Sequence, residues 1–176
     1  MAIFFSALLI TPPLGAQGNT PLPSACIASL QNPKLKNIDC ILKFDLDKRT
    51  QKSMQANTAG LIRNAACATK ISVARKMIVA ALRDGKTMQV PRQQVQCNIF
   101  AFGKPVLTKF YMAPTIHFSK GKAIQTKPGM SDVVGIPEIL AKLLADWVNS
   151  SEVIEAAMLN EVNRSLEYIR PLPLKK

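Results

Sequence analysis

The chain has 176 residues, of which 48% are hydrophobic and 19% are charged. This length can bury a core of useful size, and the balance excludes wholesale disorder and favours a single domain. The net charge of +12 suits an anionic partner, although charged side chains more often form a solvated surface than a binding site. Residues 1–129 contain 18 basic and 4 acidic side chains, whereas residues 130–176 contain 5 and 7.

The first residues are typical of an export signal. Residues 3–10 are an apolar run too short to span a membrane. Pro12, Pro13, Gly15 and Ala16 follow, as in the cleavage region of a secretory signal peptide. We expect residues 1–20 to be a signal peptide and lead-in, residues 21–176 to be one α+β domain, and the protein to be periplasmic or secreted. The alternative is a buried strand at the N-terminus.

Four cysteines follow the proposed cleavage region: Cys26, Cys40, Cys67 and Cys97. An even number of cysteines in an exported protein predicts disulfide bonds, and four allow three pairings. We favour Cys26–Cys40 and Cys67–Cys97 because both close local loops. A zinc site is disfavoured, since there is no Cys-x-x-Cys spacing and only one histidine.

The next segments mix helix and strand signals. Residues 24–30 favour a short helix, and residues 35–46 alternate apolar and polar side chains as a strand does. Residues 47–66 are predicted to be mainly helical or irregular.

Residues 70–82 are ambiguous. Good helix formers at 74–82 and a helix stop at Gly85 favour a helix, whereas the alternation and the hairpin signal Asp84-Gly85 favour a strand. We predict a strand here.

An antiparallel meander and then a helical pair are predicted for the rest of the chain. The predicted strands are 93–102, 106–112, 115–118 and 123–127. Residues 135–169 carry apolar side chains at helical spacing on two arms. Asn149, Ser150 and Ser151 interrupt the pattern between the arms, and either serine is a candidate cap for the second helix. The expected fold class is α+β, an antiparallel β-meander packed against a C-terminal amphipathic helical hairpin.

The apolar stripe of the first arm has two interpretations. It covers the sheet as ordinary core, or part of it lines a cavity for a lipid or another apolar ligand. The candidate ligand-binding residues are Ile136, Ile139, Leu140, Leu143, Leu144 and Trp147.

The sequence predicts no catalytic residue, no metal site and no cofactor. His117 lies in an apolar strand segment, and Asp45 and Asp47 are explained by an exposed strand end. Nucleic acid is disfavoured because the case rests on charge alone. The sequence thus favours an exported binding protein for lipid or another apolar ligand. The alternative is a cell-envelope protein that docks through its basic surface on an anionic surface, an acidic protein or a glycan.

Overall fold

The computed structural model describes residues 22–169, which form five helices and eight strands. In chain order these are α1 (Ser24–Gln31), β1 (Asn37–Asp45), α2 (Lys48–Asn57), β2 (Ile62–Ala74), α3 (Arg75–Asp84), β3 (Thr87–Gln89), β4 (Gln93–Ala101), β5 (Lys104–Met112), β6 (Thr115–Ser119), β7 (Lys122–Lys127), β8 (Met130–Val134), α4 (Glu138–Ser150) and α5 (Glu152–Glu167). The predicted signal peptide lies outside the described residues.

The strands form two antiparallel sheets, which confirms the predicted α+β class. The main sheet has the order β1-β2-β4-β5-β8, and the small sheet has the order β3-β6-β7. The two C-terminal helices serve different sheets: α4 packs on β8 and α2, whereas α5 packs on β7. The predicted meander is therefore divided, because β6 and β7 leave the main sheet and β8 returns to pair with β5.

Alternating side chains give the main sheet one buried and one exposed face. On β4, Val95, Cys97 and Ile99 are buried, while Gln94 and Gln96 are exposed. A period of two places such sets on opposite faces of a strand. The buried face, here the inner face, packs against α2 and α4; we call the opposite face the outer face.

Two asparagines fix the C-terminal helices to strands. The Asn149 side chain, on α4, accepts from Met130 N (2.8 Å) and donates to Met130 O (3.0 Å) on β8. Asn163, on α5, makes the same pair of bonds with Ala123 on β7, both at 3.0 Å. Each amide thus replaces a neighbouring strand as partner for one residue's backbone N–H and C=O.

The prediction of a strand over residues 70–82 is wrong beyond Ala74. Strand β2 ends there and α3 begins at Arg75. Gly85, predicted to lie in a hairpin turn, is the left-handed cap that ends α3, with φ of 61°. The helix formers decide the local structure because Gly85 supplies the conformation that ends a helix.

One further boundary and two short strands differ from the prediction. The segment expected to be helical or irregular to residue 66 becomes strand at Ile62, where pairing with β4 overrides the weak strand preference of alanine. Strands β3 and β8 were not predicted.

Gly135 follows β8 at φ of 100°, and a Cβ atom there would lie 2.2 Å from the Leu107 carbonyl oxygen. The chain can leave β8 for α4 this closely only at a glycine.

Two disulfide bonds join elements next to the cores. They are Cys26–Cys40 and Cys67–Cys97, the two pairs that the sequence favoured, with Cα–Cα distances of 4.9 and 4.0 Å. The first ties α1 to β1. The second joins residues directly opposite each other on β2 and β4. Two such bonds are compatible with an exported protein.

Arg75 joins α3 to the end of α1. Its side chain is 9% exposed and donates to three carbonyl oxygens: those of Leu35 (3.0 Å), Leu30 (3.1 Å) and Ser29 (2.6 Å). The last two belong to the final turn of α1, which has no basic residue of its own. A cation is favourable at a helix C-terminus, so Arg75 supplies what α1 lacks.

Candidate ligand cavity

A half-open cavity of about 390 Å³ lies between the inner face of the main sheet and helices α2, α4 and α5. Its floor is apolar and includes Ala65, Val95, Cys97, Ile99 and Phe110. Its roof includes Met54, Leu144, Trp147, Val148, Ile154 and Met158. Pockets for small molecules commonly have this size and lining, with few polar groups.

Trp147 is the only tryptophan of the chain, and it lies in the cavity wall. Its side chain is 6% exposed, and its indole N–H donates to Ser53 Oγ on α2 at 3.1 Å. Burial of an indole requires such a partner for its N–H. The bond fixes the ring between α2 and α4, with its apolar surface on the cavity.

Methionine is concentrated around the cavity. Four of the seven methionines line it: Met54, Met112, Met130 and Met158. A methionine side chain is unbranched and polarizable, and it adapts to irregular shapes at small cost. The lining can therefore adjust to apolar ligands of different shape.

The charged residues of the cavity lie on β1, on the β1–α2 connection and on α5. Lys43, Asp45 and Asp47 come from the first two, and Glu161 and Arg164 come from α5. Asp47 caps α2, because its Oδ1 accepts from the Thr50 N–H at 2.8 Å. Glu161 and Arg164 form an ion pair on one face of α5. These groups add charges of both signs to a lining that is otherwise mainly apolar.

The structure places the six predicted ligand residues differently. Leu144 and Trp147 line the cavity, and Leu140 is buried in the same core without lining it. Ile136 is partly buried against that core, whereas Ile139 (79% exposed) and Leu143 face outward. Periodicity identified the helix, but one helix can turn only part of a wide stripe towards the sheet.

Sequence reasoning missed most of the floor and the residues of α2. The alternation that marked β4 as a strand also put Val95, Cys97 and Ile99 on one face, so that signal was present. Met54 could not be assigned, because α2 is short and polar around it.

Two of the residues considered for catalysis, His117 and Asp47, have structural partners. His117 Nδ1 lies 2.7 Å from Thr87 Oγ1, across the pairing of β6 with β3. Asp47 is the cap of α2. Within residues 22–169, no group of three or more His, Cys, Asp or Glu side chains could hold a metal ion.

The helices between residues 22 and 169 are all too short or too polar to cross a membrane. No protein-family model, curated protein or solved structure matches the chain. The cavity geometry is therefore the main guide to function.

Proposed function

We propose that this chain is an exported, non-enzymatic protein that binds an apolar ligand, such as a lipid acyl chain, in the cavity beside Trp147. The observation that carries the proposal is the cavity itself. Its volume of about 390 Å³ exceeds twice that of the roughly 150 Å³ apolar cavity known to bind benzene. A concave, mainly apolar lining of this size is typical of a small-molecule site.

An acyl chain fits the distribution of polar and apolar groups. Most of the lining offers methyl, methylene and aromatic surface, and its charged side chains are confined to β1, the β1–α2 connection and α5. Each buried methylene group contributes about 0.8 kcal/mol. Two additional methylenes should therefore tighten binding about 15-fold, until the chain is longer than the cavity.

Trp147 makes the proposal directly testable. A fatty acid with bromine atoms on its acyl chain quenches tryptophan fluorescence only on close contact, and the protein has one tryptophan. Titration of the purified protein should give saturable quenching, which the same fatty acid without bromine should reverse by competition. Affinity should rise with chain length as stated above.

Neighbouring alanines on α5 provide a matched pair of variants. Ala157 lines the cavity and Ala156 does not, and both are exposed on the same helix. Ala157→Phe should weaken quenching at least tenfold, whereas Ala156→Phe should bind as the wild type does. The absence of quenching in the wild-type protein, or equal binding by both variants, would contradict a ligand in this cavity.

Export, to the periplasm or to the medium, is part of the same proposal. Its support is the signal-like sequence of residues 1–20 together with the two disulfide bonds. The mature protein should lack about the first sixteen to twenty residues when its intact mass is measured. A retained Met1 on a protein purified from the cytosol would contradict it.

A groove on the outer face of the main sheet favours a second candidate function. It has a volume of about 730 Å³ and runs over the small side chains Ala66 and Ala68. Its walls carry two lysines and three amides, with Asp45 as the one carboxylate: Lys43, Lys70, Gln94, Gln96 and Asn98. Amides and ammonium groups suit an acidic glycan or protein. Such binding should weaken steeply with added salt, and a salt-insensitive complex would exclude this mode.

A further inference from the structure

The turn between β4 and β5 places an aromatic residue where turn chemistry disfavours one. Phe102 and Gly103 are the two central residues, with φ of 53° and 76°. Both values are left-handed, as in a type I′ hairpin, where Asn, Asp and Gly are preferred. A bulky side chain in this conformation is strained. The Phe102 side chain is also 52% exposed, so packing in the core does not explain it.

The turn between β6 and β7 has the same backbone and an ordinary sequence. Lys120 and Gly121 have φ of 49° and 73°, and Lys120 is exposed. The fold therefore builds this turn without an aromatic residue. Phenylalanine at residue 102 costs both strain and exposed apolar surface, which indicates selection for an interaction at this site.

Other apolar side chains lie beside Phe102. The α2–β2 connection reaches the same end of the main sheet, where the Phe102 N–H donates to the Leu61 carbonyl oxygen at 3.4 Å. Leu61, Phe100 and Leu107 are exposed as well. Phe100 lies next to Asn64 and Pro105 in register, on the outer face. We call Leu61, Phe100, Phe102 and Leu107 the apolar tip.

The charges around the apolar tip are all positive in the two segments that form it. Residues 59–64 contain Arg63, and residues 100–109 contain Lys104 and Lys109. Neither segment has an acidic residue. Cations beside exposed aromatic and aliphatic side chains match the two layers of an anionic bilayer surface, its head groups and its acyl chains.

We propose that the apolar tip is a membrane-contact site, which inserts Phe102 and Leu61 among the head groups of an anionic bilayer while Arg63 and Lys104 pair with lipid phosphates. No part of the chain needs to span the bilayer for this contact. Attachment by a few side chains is shallow and reversible. The site does not depend on a ligand in the cavity, and it stands or fails separately from the proposed function.

Vesicle co-sedimentation tests the site. The protein should bind vesicles made of equal parts phosphatidylglycerol and phosphatidylcholine. It should bind vesicles of pure phosphatidylcholine at least tenfold more weakly, because each cation near an anionic surface adds to the binding free energy. Phe102→Asn should lose at least tenfold in binding, because the aromatic ring no longer enters the interface. The same substitution suits the left-handed turn, so its melting temperature should not fall.

Matched controls separate the apolar tip from general charge and apolarity. Ile124→Asn removes an equally exposed apolar side chain from β7, and Lys120→Gln removes a charge from the equivalent turn. Both should bind as the wild type does, whereas Lys104→Gln should bind more weakly. Failure of the wild-type protein to bind anionic vesicles would overturn the proposal. So would binding that Phe102→Asn leaves unchanged, or equal binding to soluble polyglutamate that is independent of Phe102, which would assign the surface to an acidic protein.

Discussion

Replacement of Arg75 by methionine should destabilise the protein by about 3–5 kcal/mol. The variant keeps a long apolar side chain but removes three hydrogen bonds to the carbonyl oxygens of Ser29, Leu30 and Leu35. A hydrogen bond to a charged group contributes about 1.5–3 kcal/mol, and carbonyls left without a partner add their desolvation cost. We take a total below the simple sum, because water reaches part of the site in the variant.

Urea unfolding followed by the fluorescence of Trp147 measures this loss. The midpoint should fall while the slope stays constant, since the variant changes stability and not the surface exposed on unfolding. Lys76→Met is the control: its side chain is the next on α3 and is exposed, so the change should stay within about 0.5 kcal/mol. Equal midpoints for Arg75→Met and Lys76→Met would refute the role assigned to the guanidinium group.

The Arg75 site should also be coupled to the disulfide bond of α1. Helix α1 has eight residues and is held both by Arg75 and by Cys26–Cys40. Once either the Arg75 hydrogen bonds or the disulfide bond is lost, the remaining one holds a helix that is less ordered than before. When Arg75→Met is combined with removal of the Cys26–Cys40 bond, the loss in free energy of unfolding should differ from the sum of the two single losses. Such non-additivity is expected for sites that share an element.

Two further changes should alter stability in opposite directions. Cys67→Ala with Cys97→Ala opens a loop with a sequence separation of 30 and should cost about 3.6 kcal/mol by chain entropy, against about 3.0 for the separation of 14 between Cys26 and Cys40; equal urea midpoints for the double variant and the wild type would contradict this. The hydroxyl of Thr108 is fully buried and has no hydrogen-bond partner among the residues that the structure describes. Thr108→Val should therefore raise the melting temperature by about 2–4 °C in calorimetry, and a fall would show that the hydroxyl is satisfied.

Local patterns along the sequence were sufficient to predict the fold class. The alternation in β1 and β4 identifies two strands, and the spacing of apolar residues in α4 identifies a helix. Each pattern depends only on residues that are neighbours along the chain. Ser151 behaves as expected of a capping residue: its Oγ accepts from the Ile154 N–H at 3.4 Å, at the start of α5. Such signals are independent of what the element packs against.

The predictions failed where contacts with residues distant in the sequence determine the local structure. Strand β8 has only five residues, including Ser131 and Asp132, and it exists because β5 offers it an edge. The start of α3 is set in part by Arg75, whose partners lie some 40 residues earlier. The cavity could not be read from α4 alone, since its volume depends on the distance between the main sheet and three helices.

The paired hydrogen bonds of Asn149 and Asn163 bear on how the cavity would accommodate the proposed ligand. Each helix is attached at one residue to the backbone of its strand, and a shift along the strand by one residue would break both bonds of that amide at once. The two helices are joined by Ser151 alone, so neither can slide without the other. The part of the roof formed by α4 and α5 therefore behaves as a rigid frame with two fixed points. Changes in cavity shape would then come from rotation of lining side chains such as Met54, Met112 and Met158, on the timescale of rotamer exchange and not of domain motion.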